Sequence, residues 1–336
     1  MKAKSLLYIL ALSVAAVSCG KNNTTDPRYL EWLDEPEDSL WVSASSKFGA
    51  LPSYIKLFYA DSLQGRKAIA YIADIDLSKQ GFDIWGINAP DLNGCNDPLQ
   101  TPLQVYNAVG KPSIIINAGF FYTDSGKSYS SSLEVSNSVL LSPNINYASQ
   151  DWVTVYQPTR AAFIEHANGS IEVSWTFWKD ATHHWIYDEP AANTWKAKPL
   201  ATPNATFPTT GRAFEAKNAI GGGPVLLKNG AVRNTYVAEL FDGPSGIMCD
   251  GTHPRTAIGV TAEKHLVLFV CEGRNMTAGV PGFTTLEVAN ILKAYGCTDA
   301  MNLDGGGSTL MLVNGKEVLK PSDGHERSVA SCVYVK

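Results

Sequence analysis

Apolar and polar residues alternate from Ala68 to Asp76 (AIAYIADID), the two-residue period of a strand with one buried face. Ser113 to Asn117 (SIIIN) is a continuous apolar run ending in a polar residue, which predicts a buried strand. Asn168-Gly169, Asn229-Gly230 and Asn314-Gly315 each lie between apolar runs. Asn-Gly tolerates the positive φ angles of tight turns, so three hairpins are predicted there. Thr256 to Thr261 and His265 to Cys271 flank Ala262-Glu263-Lys264 and predict a further strand pair. Helices are fewer. Pro102 to Val109 is a short candidate, and Thr285 to Tyr295 a stronger one, with Val288, Ile291, Leu292 and Tyr295 on one face and Gly296 at a natural stop. Residues 188–211 are rich in Pro, Ala, Thr and Asn and predict a long loop or insertion. Residues 27–50 are acidic and Trp-bearing without periodicity, an extended lead-in. No repeat occurs at solenoid or propeller periods, and no strand–helix alternation is long enough for a Rossmann fold. The expected class is α+β: a large, mostly antiparallel sheet system with a few helices in a single domain.

Composition narrows the function. Of 336 residues, 45% are hydrophobic and 18% charged, which supplies a core and excludes a disordered or collagen-like chain. The net charge is −5 and no basic run stands out, so no nucleic-acid partner is expected. Eight Trp and 14 Tyr suit packed β structure and, in part, a sugar-binding surface. Lys2 and Lys4 precede the apolar run Leu6 to Val17, which is shorter than the ~20 residues of a spanning helix. With small residues before Cys19, this predicts an export signal. Ala16-Val17-Ser18-Cys19 resembles a bacterial lipoprotein box, apart from Ala16, where the pattern prefers a larger aliphatic residue. The resemblance implies lipidation at Cys19 and a membrane partner through that anchor; the alternative is an ordinary signal peptide with an incidental cysteine. The expected organisation is a signal peptide at 1–19, a tether and lead-in at 20–50, and one domain at 51–336 carrying the 188–211 insertion. The expected location is the bacterial cell envelope, periplasmic or on the outer-membrane surface.

Cys95, Cys249, Cys271, Cys297 and Cys332 remain, an odd number without CxxC or zinc-ligand spacing. They predict mostly buried free thiols. His183-His184, beside Trp178 and Trp185, predicts packing or surface rather than a metal site. No cofactor and no metal site are expected.

Four segments run from apolar residues into a polar or glycine-rich end: Ile115 to Phe121, Ala219 to Pro224, His253 to Gly259, and Met301 to Ser308. A strand delivers its last side chain with fixed geometry, and neighbouring glycines let a ligand approach backbone N–H groups. Asp304 before Gly305-Gly306-Gly307 fits a carboxylate beside an anion-accepting turn; no P-loop pattern is present. Each segment also has a plain structural reading. Glycine triplets form bulges and turns, Arg255 could be a structural arginine, and Asn117 could cap a turn. Thr284-Thr285-Leu286-Glu287 matches a capping box, which would occupy Glu287 at a helix N-terminus. The residues alone define an exported α+β domain with a pocket for an anionic ligand.

Taken in order, the segments resemble the phosphodiester glycosidase family. The matching pieces are Asn117 to Phe121, Gly221 to Pro224, Pro254 to Gly259, Glu272-Gly273-Arg274, Gly282-Phe283-Thr284 leading to Glu287, Asn302 to Ser308, and Glu326 to Ala330. They cover roughly residues 50–336. NLDGGGS with PRTAIG upstream is the specific combination; Ala118, where the family often has glycine, and the 188–211 insertion depart from it. The resemblance implies a hydrolase that cleaves the glycosidic bond of a sugar–phosphate diester, giving a free sugar and a phosphomonoester. Arg255 would hold the departing phosphate with a two-pronged contact, with Arg274 or Arg327 as a second contributor. Asp304, partnered by Glu287, would serve the cation-like anomeric carbon. Asn117, Asn302, Ser308, Gly222 and the amides of Gly305, Gly306 and Gly307 would orient substrate. Two alternatives stand beside this: a non-catalytic glycan- or envelope-binding lipoprotein of the same fold, and a metal-dependent phosphodiesterase using Asp304, Glu287 and Asp250.

Overall fold

The computed structural model describes residues 40–88, 97–243 and 246–336. The predicted signal peptide, Cys19, the tether to residue 39 and Cys95 lie outside the described residues.

Antiparallel sheet dominates, as expected. An eight-stranded sheet runs in the order Val42–Ser43, Ile55–Leu63, Arg66–Asp76, His265–Cys271, Arg255–Thr261, Cys297–Asn302, Val225–Lys228, Ala231–Val232. A seven-stranded sheet holds Arg160–Glu165 and Asn218–Gly221 near its middle, and a five-stranded sheet is centred on Ile114–Asn117. Six strands build the site: β1 (Arg160–Glu165), β2 (Ile171–Asp180), β3 (Asn218–Gly221), β4 (Arg255–Thr261), β5 (His265–Cys271) and β6 (Cys297–Asn302). The three sheets share one core, in which Leu57, Ala73 and Ile75 meet Phe163 and Trp175 and also Ile114, Ile116 and Val333. The strand predicted at Ala68 to Asp76 is buried on both faces from Ala70 to Ile75, with Ala73 and Ile75 in this core and Asp74 covered by Tyr295.

Local chemistry sets the boundaries. The Asn-Gly turns at 229–230 and 314–315 have both residues at positive φ (51° and 74°, 49° and 75°) and join strands that pair antiparallel. Asn168-Gly169 joins β1 to β2, and Ala262 to Lys264 joins β4 to β5. Helix α1 (Pro102–Ala108) starts on Thr101, and helix α2 (Thr285–Tyr295) starts on Thr284 and stops at Gly296 in the left-handed conformation. The α2 stripe Val288, Ile291, Leu292 and Tyr295 is buried. The last part of the lead-in is less free than its composition predicts: Trp41 is buried and Val42–Ser43 pairs with Ile55–Leu63 as an edge strand. Cys249, Cys271, Cys297 and Cys332 are buried free thiols. His183 binds Asp180, and His184 stacks on Trp178 with ring centroids 4.3 Å apart.

Candidate active site

Segments from all three sheets meet at a cavity of about 400 Å³, whose walls include Asp304, Gly222, His253 and four arginines: Arg160, Arg255, Arg274 and Arg327. Asp304 follows β6 by two residues. Its backbone is fixed from the neighbouring sheet: its N–H donates to the Ala118 carbonyl (2.8 Å), and its own carbonyl accepts from the Asn117 side-chain amide (2.7 Å). Burial pushes its carboxyl up to about 6, against the Ser308 hydroxyl, the Arg327 charge and the Gly305 amide, which favour the ionised form. Asp304 is the single carboxylate on the wall of this cavity among the described residues.

The glycine run is a floor for guanidinium groups. A Cβ on Gly305 would press on the Pro254 carbonyl (2.8 Å), one on Gly306 would lie 2.8 Å from Arg274 Nη2, and one on Gly307 would collide with Arg327. Gly306 also has φ +59°, which disfavours other residues. Arg255, Arg274 and Arg327 differ in freedom. Arg327, 42% exposed, spends Nε and Nη2 on the Asp323 carboxylate (3.0 and 2.5 Å). Arg274, 44% exposed, donates to Ser322 (3.2 Å) with Asp323 at 4.0 Å. Arg255, only 2% exposed, donates to four backbone carbonyls: Phe283 (2.9 Å), Ile247 (2.9 Å), Met248 (2.7 Å) and Gly251 (2.8 Å). A guanidinium has five N–H donors, so Arg255 keeps one, and the two-pronged phosphate contact expected of it is not available in this arrangement.

Glu287 is not brought to the cavity wall. Its carboxylate accepts from the Thr284 N–H (2.8 Å) and hydroxyl (3.0 Å) and pairs with Arg66 (2.7 Å), the capping box of α2. Burial would raise its pKa, but these hydrogen bonds and the Arg66 charge hold it below the ordinary value. Glu287→Ala is therefore expected to lower stability by about 1 kcal/mol and to leave turnover nearly unchanged. A more than ten-fold rate loss with an unaltered melting curve would return Glu287 to the reaction.

Asn117 and Asn302 are buried and shape the backbone. Asn117 accepts from the Thr256 hydroxyl (2.7 Å) and the Leu310 N–H (3.0 Å) while donating to Asp304. Asn302 donates to the carbonyls of Gly223 and Leu303 (3.0 and 2.7 Å). They hold the two glycine runs in place, and neither lines the cavity. Ser308 is buried behind Asp304, with Arg327 Nη1 at 3.4 Å. Gly222 lines the cavity where a Cβ would press on the Asn302 carbonyl (2.5 Å).

Sequence reasoning gave no role to two residues on the wall. His253 carries an imidazole whose pKa is lowered by burial, Arg255 and Arg274, so it is neutral at pH 7; its Nδ1 is buried without a partner. Arg160 opens β1 and stacks on Phe241, 4.5 Å from the ring centroid. Phe120, Phe121, Tyr122, Tyr147 and Phe241 supply apolar surface to the same cavity. The nearest sequence signals were the HPRTAIG segment for His253 and, for Arg160, an arginine just ahead of an apolar strand.

An antiparallel sheet system thus gathers one carboxylate, an imidazole and several guanidiniums over glycine in one cavity. At family level the match is direct: residues 110–336 correspond to the phosphodiester glycosidase family, and the chain belongs to it. An uncharacterized SPbeta prophage-derived protein of Bacillus subtilis, YomE, is 31% identical over 120 residues, 36% of this chain and 17% of that protein. The mouse N-acetylglucosamine-1-phosphodiester alpha-N-acetylglucosaminidase is 31% identical over 120 residues, 32% of this chain and 21% of that protein. The aligned stretch thus spans about a fifth of these curated relatives. The catalytic domain of the zebrafish enzyme of the same name, solved in a form auto-inhibited by its pro-peptide, superposes with a TM-score of 0.55 at 19% identity, over 90% of this chain and 85% of that one, which establishes the shared fold.

Proposed function

We propose that the chain hydrolyses the glycosidic bond of a sugar–phosphate diester, releasing a free sugar and a phosphomonoester. The observation that carries this reading is a half-buried carboxylate, Asp304, sharing one cavity with four guanidinium groups. In the proposed reaction the Asp304 carboxylate stabilises the cation-like anomeric carbon. The bond from that carbon to the phosphate oxygen breaks, and the electron pair leaves with the phosphate, whose charge the guanidiniums offset. Water forms the new bond to carbon. Its proton goes to His253, which takes the partner role first assigned to Glu287, because it stands on the cavity wall in the neutral form. The aromatic wall of Phe120, Tyr122 and Phe241 offers apolar faces to the sugar or its attached group.

The metal-dependent phosphodiesterase reading needs Asp304, Glu287 and Asp250 together. Neither Glu287 nor Asp250 lines the cavity, and no group of three or more His, Cys, Asp or Glu suited to a metal forms among the described residues. The proposed location is the bacterial envelope, with anchoring at Cys19. No helix among the described residues is long and apolar enough to cross a membrane.

The test is a panel of sugar phosphodiesters incubated in oxygen-18 water, with products identified by mass spectrometry. Label in the sugar is expected. Label in the phosphate, or binding without turnover across the panel, would overturn the reading in favour of a phosphodiesterase or a glycan-binding protein.

A further inference from the structure

The six site strands form the same motif twice. β2-β1-β3 and β5-β4-β6 are each three antiparallel neighbours. In both, the middle strand opens on an arginine, Arg160 in one and Arg255 in the other. Two residues on, Ala162 faces Gly221 and Ala257 faces Asn302, each the last residue of its third strand. The carbonyl after each arginine accepts from the residue just beyond that partner: Gly222 to Ala161 (3.1 Å), and Leu303 to Thr256 (2.9 Å). A glycine run lies at the end of the third strand in both copies, starting at the partner itself in Gly221 to Gly223 and three residues beyond it in Gly305 to Gly307. The two arginines thus hold equivalent places, and both line the one cavity. The first copy carries the 188–211 loop between its second and third strands, so the spacing is unequal and no sequence period marks the repeat.

The equivalent arginines differ in one respect. Arg255 is tied to four carbonyls. Arg160, 8% exposed, donates only from Nη1, to the Glu239 carbonyl, and its Nε is buried with no partner. The buried Glu239 carboxylate attracts the Arg160 charge without pairing with it directly, since its oxygens accept from the N–H groups of Ala161 (3.0 Å) and Val225 (2.9 Å) and the Thr235 hydroxyl (2.6 Å). Among the described residues no carboxylate lies within ion-pair distance of Arg160. A buried guanidinium N–H without a hydrogen-bond partner is unfavourable unless a ligand brings one.

We propose that Arg160 is the principal phosphate-contacting residue of the cavity, the substrate's phosphate supplying the hydrogen-bond acceptor that the protein leaves out. This rests on the sugar–phosphate diester reading and deepens it. Arg255 holds the rim loop, Arg274 and Arg327 share Asp323 at the exposed edge, and Arg160 meets the anion at depth. With its Cζ held 4.5 Å from the Phe241 ring centroid, its planar fork can meet two phosphate oxygens.

Two readouts test it. The first is binding: inorganic phosphate is titrated against the wild-type protein and Arg160→Met, followed by the shift in melting temperature, which needs no turnover. Wild type should be stabilised by phosphate, and Arg160→Met should need at least about ten-fold more phosphate for the same shift. Arg160→Lys, which keeps the charge but not the fork, should fall between. The second is selectivity: Arg160→Met should lose ~10²–10³-fold in kcat/KM on a sugar phosphodiester and less than about five-fold on an aryl glycoside of the same sugar. Equal phosphate responses in wild type and Arg160→Met, or equal losses on both substrates, overturn the assignment. A wild type that binds phosphate through Arg160 but cleaves only aryl glycosides would sink the diester reading while leaving this one standing.

Discussion

Asp304→Asn is expected to reduce sugar release from a phosphodiester by at least ~10³-fold while the protein folds normally. Asparagine fits the same space and still accepts from Ser308, so the floor over Gly305 to Gly307 is kept. What is lost is the negative charge beside the anomeric carbon. The charge also sets the pH dependence. Because burial lifts the Asp304 carboxyl to about 6, wild-type kcat/KM should climb as pH rises through that value and level off above it. The residual activity of the variant should lose the Asp304 limb and keep only the fall at lower pH set by protonation of His253. Stability moves the opposite way. A carboxyl whose folded-state pKa lies above its ordinary 3.8 imposes nothing below that value, and it destabilises progressively as pH rises through about 6. Asp304→Asn should therefore melt higher than wild type at pH 8 and close to it at pH 4. Thermal melts at the two pH values, read beside the rate profiles, separate a charge held for chemistry from one held for structure. Wild-type turnover in the variant, or a lower melting temperature at pH 8, would remove Asp304 from the proposed reaction.

The elements were readable in the sequence wherever a local device fixed them. Asn-Gly turns, the Thr284 cap and the Gly296 stop act within a few residues, so α2 and three hairpins lie where the pattern put them. Asp304 and its glycines lie on the cavity wall at a strand end, where the segment pattern put them, although a glycine triplet by itself serves equally well as a turn. The side chains around them were not, because their roles depend on partners far along the chain. The letters of Thr284 to Glu287 are the same for a cap and for a catalytic acid; the Thr284 N–H and Arg66 decide it. Asn117 resembles a substrate ligand until Thr256, Leu310 and Asp304 are seen around its amide. Arg160 has no glycine beside it in sequence. Only the pairing of β1 with β3 sets it beside Gly222 and reveals it as the counterpart of Arg255.

That equivalence gives Arg255 its own expected result, different in kind from that of Arg160. A lysine at 255 keeps the charge, but its three donors on a single nitrogen cannot serve four carbonyls that a planar guanidinium reaches in four directions. Two or more of the carbonyls of Ile247, Met248, Gly251 and Phe283 would be left without that donor, at a cost on the order of 3 kcal/mol. Residues 247–253 and 283 would loosen together, since His253 and Phe283 also bridge each other through their backbones. His253 stands on the cavity wall, so turnover should fall steeply, by ~10²-fold or more, through displacement of that imidazole. The loss should be the same for phosphodiester and aryl glycoside, because the wall moves for every substrate, and the melting temperature should drop with it. A loss confined to phosphodiesters at unchanged stability would instead mean that Arg255 turns from its carbonyls to the phosphate when substrate arrives, and the division of labour between the two arginines would be reversed.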